Sequence, residues 1–202
     1  MSSNASGPAG ASASDRAPVL LVLGDSLSAE YGLRRGQGWV ALLGERIQQQ
    51  AGKLKHQEWR VVNASISGET TVGGRTRLPR LLQQHRPALT LIELGGNDGL
   101  RGLPIQTVSA NLRQMIESAQ AQGSQVLLIG MQMPPNYGPA YARQFQQMYQ
   151  SLARDTGSAL VPFLLEGFGS DRDWFQPDGI HPNATAQPKM LDNVWPTLKP
   201  LL

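Results

Sequence analysis

Asp178 stands three residues before His181 in the stretch QPDGIHPN, with Gly179 between them. One loop can therefore present a carboxyl and an imidazole as a preassembled pair. An imidazole with its unperturbed pKa of ~6.5 can take up and return a proton near neutral pH. A carboxylate bonded to its other nitrogen holds the ring in the required tautomer. Ser26, in GDSLS, supplies what such a pair lacks. A serine hydroxyl is a poor nucleophile until an adjacent base removes its proton. Acyl transfer also needs hydrogen-bond donors aimed at the developing oxyanion, each worth ~2.7–4 kcal/mol. Gly68, in NASISGET, offers a backbone N–H that a substrate can approach closely, because glycine has no side chain. Asn97, in GGNDG, offers a side-chain amide, and the N–H of Ser26 is a third donor.

Taken singly, each residue has a plainer meaning. Serine after glycine turns a chain, GGNDG is a run of turn formers, and a lone loop histidine sits at the surface. His56 lies in a polar stretch and His85 at the end of a helix, whereas His181 stands beside Asp178 in a Pro/Gly-rich loop. What favours chemistry is where the candidates fall relative to the elements that carry them.

Five short apolar runs read as buried strands: PVLLVL (18–23), WRVVNA (59–64), ALTLIEL (88–94), QVLLIGM (125–131) and ALVPF (159–163). Near-continuous hydrophobicity suits parallel strands covered on both faces. Between them, Trp39, Leu42, Leu43 and Ile47 share a helical face, as do Val108, Leu112, Met115, Ile116 and Ala119. Tyr141, Phe145, Met148, Tyr149 and Leu152 form a third such face, and these stripes read as core packing. A last helix near 185–202 is interrupted by Pro188 and Pro196. Alternation of this kind predicts a three-layer α/β fold with a five-stranded, mainly parallel sheet. In such sheets, sites form beyond the carboxyl ends of strands. Ser26 follows the first run, Gly68 the second and Asn97 the third, so three strands deliver polar, glycine-flanked segments to one edge.

Composition narrows the remaining possibilities. Net charge is +3 with no long basic run, which argues against a nucleic-acid partner. The chain has no cysteine, which excludes disulfides, thiolate nucleophiles and cysteine metal sites. No apolar run reaches the ~18 residues of a bilayer span, so no stable membrane insertion is expected. Asp25, Asp98 and Asp178 match no metal-ligand spacing, and no phosphate-binding glycine signature follows a strand. Neither a metal nor an organic cofactor is expected. Residues 1–17, rich in Ser, Ala and Gly and without a signal-peptide pattern, read as a disordered tail, and 18–202 as one domain. Two other classes share this architecture. A flavodoxin-like nucleotide or flavin module would have no use for Ser26 or His181, and a silent interaction protein would have no reason to keep all five site residues.

GDSLS, then SISG, GGND and DGIHP, in that order, resemble the four blocks of the SGNH (GDSL) hydrolases. The resemblance covers roughly 18–202 and extends to VVNASISGET, IELGGNDGLRG and PPNYG. It implies Ser26 as nucleophile, His181 as base, Asp178 as the triad carboxylate, and Ser26, Gly68 and Asn97 as the oxyanion hole. It also implies a small flavodoxin-like α/β/α domain without cofactor. Within the family the chain is most similar to the bacterial acyl-CoA thioesterase I, arylesterase and lysophospholipase group. That group acts on acyl-CoA, aryl or short-to-medium acyl esters and lysophospholipids, and is typically periplasmic. A monomer in the periplasm, or secreted, is the expectation, with the cytoplasm as the alternative.

Leu100 and Leu103, in GLRGLP, and Met133, Pro134 and Tyr137, in MQMPPNYG, follow the third and fourth strands. They offer adaptable apolar surface for an acyl chain. Absence of G-x-S-x-G, with Ser28 where its second glycine would stand, argues against the nucleophile elbow of α/β-hydrolases. Asp25 is expected to bond backbone amides of the turn that presents Ser26. Glu30, four residues beyond Ser26, points toward either solvent or substrate.

Overall fold

The structure, a computed structural model, describes residues 17–56 and 58–202. Ala17 aside, the expected tail lies outside the described residues. Strands β1 (Val19–Gly24), β2 (Arg60–Asn63), β3 (Leu89–Glu93), β4 (Gln125–Ile129) and β5 (Ala159–Val161) form one parallel sheet, ordered β2-β1-β3-β4-β5. They fall on the five apolar runs, with ends displaced by no more than two residues. β5 stops early because Pro162 has no N–H to give, and the ladder closes with Gly130 N donating to Val161 O.

Helices α1 (Trp39–Gln49), α2 (Thr71–His85), α3 (Gly96–Leu100), α4 (Ile105–Ala121), α5 (Pro139–Thr156) and α6 (Gln187–Leu198) cover the sheet. α2, α4 and α5 pack side by side on one face and α1 with α6 on the other. The central strands β1 and β3 are buried throughout. Each leucine fully withdrawn from water there contributes roughly 1.5–3 kcal/mol. The predicted stripes face inward: all five residues on α4 are buried, as are Phe145, Met148, Tyr149 and Leu152 on α5.

Proline bounds α6 without breaking it. Pro188 occupies the first turn, where its missing N–H has no intrahelical role, and Pro196 falls in the last. α2 runs through Gly73, Gly74 and Pro79, all weak helix formers. Buried Leu78 and Leu82 hold its body, and the Thr70 hydroxyl accepts from Gly73 N at its start. GGNDG, expected as a loop, opens instead into the short helix α3. Gly95 turns the chain at φ 114°, a value that favours glycine, and a Cβ there would strike the Tyr149 hydroxyl.

The chain leaves β1 for β2 on one side and returns to β3 on the other. The carboxyl ends of β1 and β3 thus flank the topological switch point, where open α/β sheets form their binding crevice. No helix among the described residues is long and apolar enough to cross a membrane.

Candidate active site

Ser26 stands two residues past the end of β1, in a turn that Asp25 builds. The Asp25 carbonyl accepts from Ser28 N and Ala29 N, and its Oδ1 accepts from Leu27 N at 3.0 Å. His181 reaches the same place from a loop some 150 residues away. Its Nε2 lies 2.9 Å from Ser26 Oγ, and its Nδ1 lies 2.7 Å from Asp178 Oδ2. The other Asp178 oxygen accepts from Ile180 N and His181 N, so the carboxylate grips both ring and backbone. These donors, led by the His181 amide, hold the Asp178 pKa down at about 2. Tyr31 lies over the imidazole, ring centroids 4.2 Å apart. The arrangement can pull a proton from Ser26 and stabilise the resulting imidazolium.

The three oxyanion candidates converge from three strands but differ in state. The N–H groups of Ser26 and Gly68 have no hydrogen-bond partner among the described residues. Gly68 lies on an exposed turn at φ 79°. Asn97, on α3, is held from two sides: its Nδ2 donates to Asp25 Oδ2 and to Glu69 O, each at 3.0 Å. Asp98 ties this helix to α2, accepting from Thr71 N at 2.9 Å and Thr71 Oγ1 at 2.6 Å. The Gly68 turn and Asn97 therefore belong to one braced unit.

Below the Ser26 turn lies a polar layer that sequence reasoning missed. Glu93, at the end of β3, is fully buried beside Gly24. A Cβ on Gly24 would fall 2.8 Å from both Glu93 Oε2 and Ser28, so only glycine fits there. Glu93 Oε2 accepts from Ser28 Oγ at 2.8 Å, and Ser28 Oγ in turn accepts from the Trp39 indole at 3.2 Å. The signal in the sequence was a lone acid inside ALTLIEL, which an apolar strand carries only when something pairs with it. Burial raises the Asp25 pKa to about 6 and pushes Glu93 well above the carboxylate range, with the Asp25 charge adding to the rise. Glu30 is half-buried, and its carboxylate accepts from Gly36 N and Gly38 N and fixes the loop ahead of α1.

Among the described residues, the large hydrophobic side chains left exposed are Tyr31, Ile66, Val72, Leu100 and Ile180, each close in sequence to a site residue. Tyr137 is half-buried and donates its hydroxyl to Leu100 O at 2.8 Å, which joins the two predicted apolar loops. Pro134 is exposed and Leu103 half-buried, whereas Met133 is buried, its sulfur with Phe145 filling the space that Gly99 leaves. The exposed neighbours Ile66, Val72 and Ile180 were not foreseen: Ile66 and Ile180 stand singly in loops, and Val72 lies in the first turn of α2 outside its buried face.

Residues 22–187 match the GDSL-like lipase/acylhydrolase family. The chain is 54% identical to the esterase TesA of Pseudomonas aeruginosa, over 92% of its own length and 90% of that protein's. It is 43% identical to thioesterase 1/protease 1/lysophospholipase L1 of Escherichia coli K12, over 92% and 86%. It is 44% identical to an arylesterase of Vibrio mimicus, over 87% and 86%. The crystal structure of TesA superposes with a TM-score of 0.86, covering 91% of this chain and 99% of that one. That of the psychrotrophic esterase EstA from Pseudoalteromonas sp., 39% identical, gives 0.83, covering 90% and 96%.

Proposed function

This chain belongs to the GDSL-like lipase/acylhydrolase family and hydrolyses carboxylic ester or acyl thioester bonds; from that premise we propose how it does so. Ser26 Oγ attacks the acyl carbonyl carbon while His181 Nε2 takes its proton. Asp178 holds the Nδ1 proton and balances the imidazolium charge. The oxyanion accepts from Ser26 N, Gly68 N and Asn97 Nδ2, the last turning one proton away from the Glu69 carbonyl. His181 then protonates the leaving alcohol or thiol, and the acyl group remains on Ser26. Water, deprotonated by the same imidazole, attacks that ester and frees the acid. The observation that carries this reading is the continuous relay Ser26–His181–Asp178 at 2.9 and 2.7 Å, beside two backbone N–H groups that have no partner among the described residues.

The acyl chain lies along the apolar rim, over Leu100, Leu103, Pro134 and Tyr137, with Met133 beneath. An open rim of this kind suits small acyl-CoA, aryl and lysophospholipid esters. A monomer working in the periplasm is the setting that the likeness to the thioesterase I, arylesterase and lysophospholipase group supports.

Kinetics on a chain-length series of p-nitrophenyl esters and acyl-CoA thioesters test this reading. Ser26→Ala is expected to lose at least about 10⁴-fold in turnover on every substrate. Full turnover in that variant would remove Ser26 from the mechanism.

A further inference from the structure

The triad and oxyanion donors leave unexplained why two carboxyls meet in the dry layer beneath them. Asp25 is 3% exposed and Glu93 2%, and Asp25 N donates to Glu93 Oε2 at 3.3 Å, which sets the two carboxyl-bearing residues against each other in this layer. Burial penalises a second charge beside the first, which favours one proton held between the two carboxyls. The surroundings decide which group carries it. Both Asp25 oxygens accept from N–H donors, Leu27 N on Oδ1 and Asn97 Nδ2 on Oδ2, which favours its ionised form. Glu93 sits deeper, and its Oε2 accepts from the Ser28 hydroxyl and, at 3.3 Å, from Asp25 N. The other titratable groups facing the pair are Asp98 on α3, His181 on the C-terminal loop and Tyr149 on α5. Both carboxyls are shifted upward by burial, Asp25 to about 6 and Glu93 well above its ordinary value.

Resting on the acyl-enzyme reading above, we propose that Glu93 is a positioning residue: kept as a neutral carboxylic acid, it donates to Asp25 and so fixes the carboxylate to which both the Ser26 turn and the Asn97 amide are anchored. The role fits the reaction in two ways. Asn97 must release its bond to Glu69 O when the oxyanion forms, and Asp25 Oδ2 is the anchor that then keeps the amide in place. The shared proton also leaves one negative charge, instead of two, beneath the point where the oxyanion develops.

Carbon-13 NMR of glutamate-labelled protein at pH 7 reads the protonation directly. One of seven glutamate side chains is expected in the acid form, and its resonance disappears in Glu93→Gln. Glu93→Gln retains an N–H donor in the same place and is expected to keep kcat within about tenfold of the wild type. Glu93→Ala removes it, and kcat falls about 10²-fold with KM unchanged. Should the alanine variant fail to fold, the wild-type and glutamine spectra still decide. Seven ionised glutamates at pH 7, or a folded glutamine variant as slow as the alanine one, would overturn the proposal. Those results leave the acyl-enzyme reading standing as long as Ser26→Ala is inactive. Active Ser26→Ala would sink that reading while leaving the Glu93 resonance where it is.

Discussion

Asp178 and Asp25 flank the same machinery, one behind His181 and the other behind Ser26, and their environments drive them in opposite directions. Asp178 is exposed and surrounded by donors, so its carboxyl stays ionised down to a pH of about 2. Asp25 is buried away from water, so its pKa rises to about 6 even though Leu27 N and Glu93 both favour its ionised form. In the proposed mechanism, one residue type thus gives a charge that orients the base and, elsewhere, a member of a proton-sharing pair that supports the oxyanion side. What separates them is solvent, since both are well hydrogen-bonded. Water and backbone amides together stabilise the outer charge, and the inner one must share a proton instead.

The comparison can be broken most forcefully on the outer side. Asp178→Asn keeps the shape but allows the wrong imidazole tautomer, and kcat is expected to fall about 10⁴-fold. A loss no greater than tenfold in steady-state assays would mean that the Asp178 charge does not serve the base. On the inner side, Asn97→Ala removes one oxyanion donor and is expected to cost about 10²–10³ in kcat with little change in KM. An unchanged kcat would leave the Asp25–Asn97 bond without a catalytic purpose.

The smallest effect sharpens the contrast through stability. The lowered Asp178 pKa contributes stability that is present above its ordinary value of 3.8 and lost as pH falls toward 2. The raised Asp25 pKa has the opposite sign: its ionisation costs stability above about pH 6, and that cost is relieved as pH falls from 6 to 3.8. Denaturant unfolding across this range should show Asp178→Asn flattening the curve below pH 4 and Asp25→Asn flattening it between 4 and 6. The same pH window for both variants would refute the assignment of opposite environments.

The strands and the pairing of Asp178 with His181 were legible because their signals are local or strongly patterned. Asp178 and His181 are three residues apart, and each strand is a short apolar run. The braces were not legible, because they join distant positions: Glu93 reaches Ser28 across 65 residues and Asp98 reaches Thr71 across 27. α3 was hidden for another reason. Asn, Asp and Gly favour turns, and only the Gly95 bend and the contacts of Asp98 make GGNDG helical. Glu30 shows the same limit, since its bonds to Gly36 N and Gly38 N depend on a loop geometry that residue types do not reveal.

The central claim is that Ser26 carries the acyl group, with His181 as its base. A p-nitrophenyl alkylphosphonate tests this directly, because its adduct on a serine nucleophile stops at the first step. Mass spectrometry should find one adduct per chain on the peptide containing Ser26, formed in step with loss of activity. No adduct should form on Ser26→Ala, and formation should be far slower on His181→Ala. Inactivation with Ser26 unmodified, or with the adduct on another residue, would contradict the account.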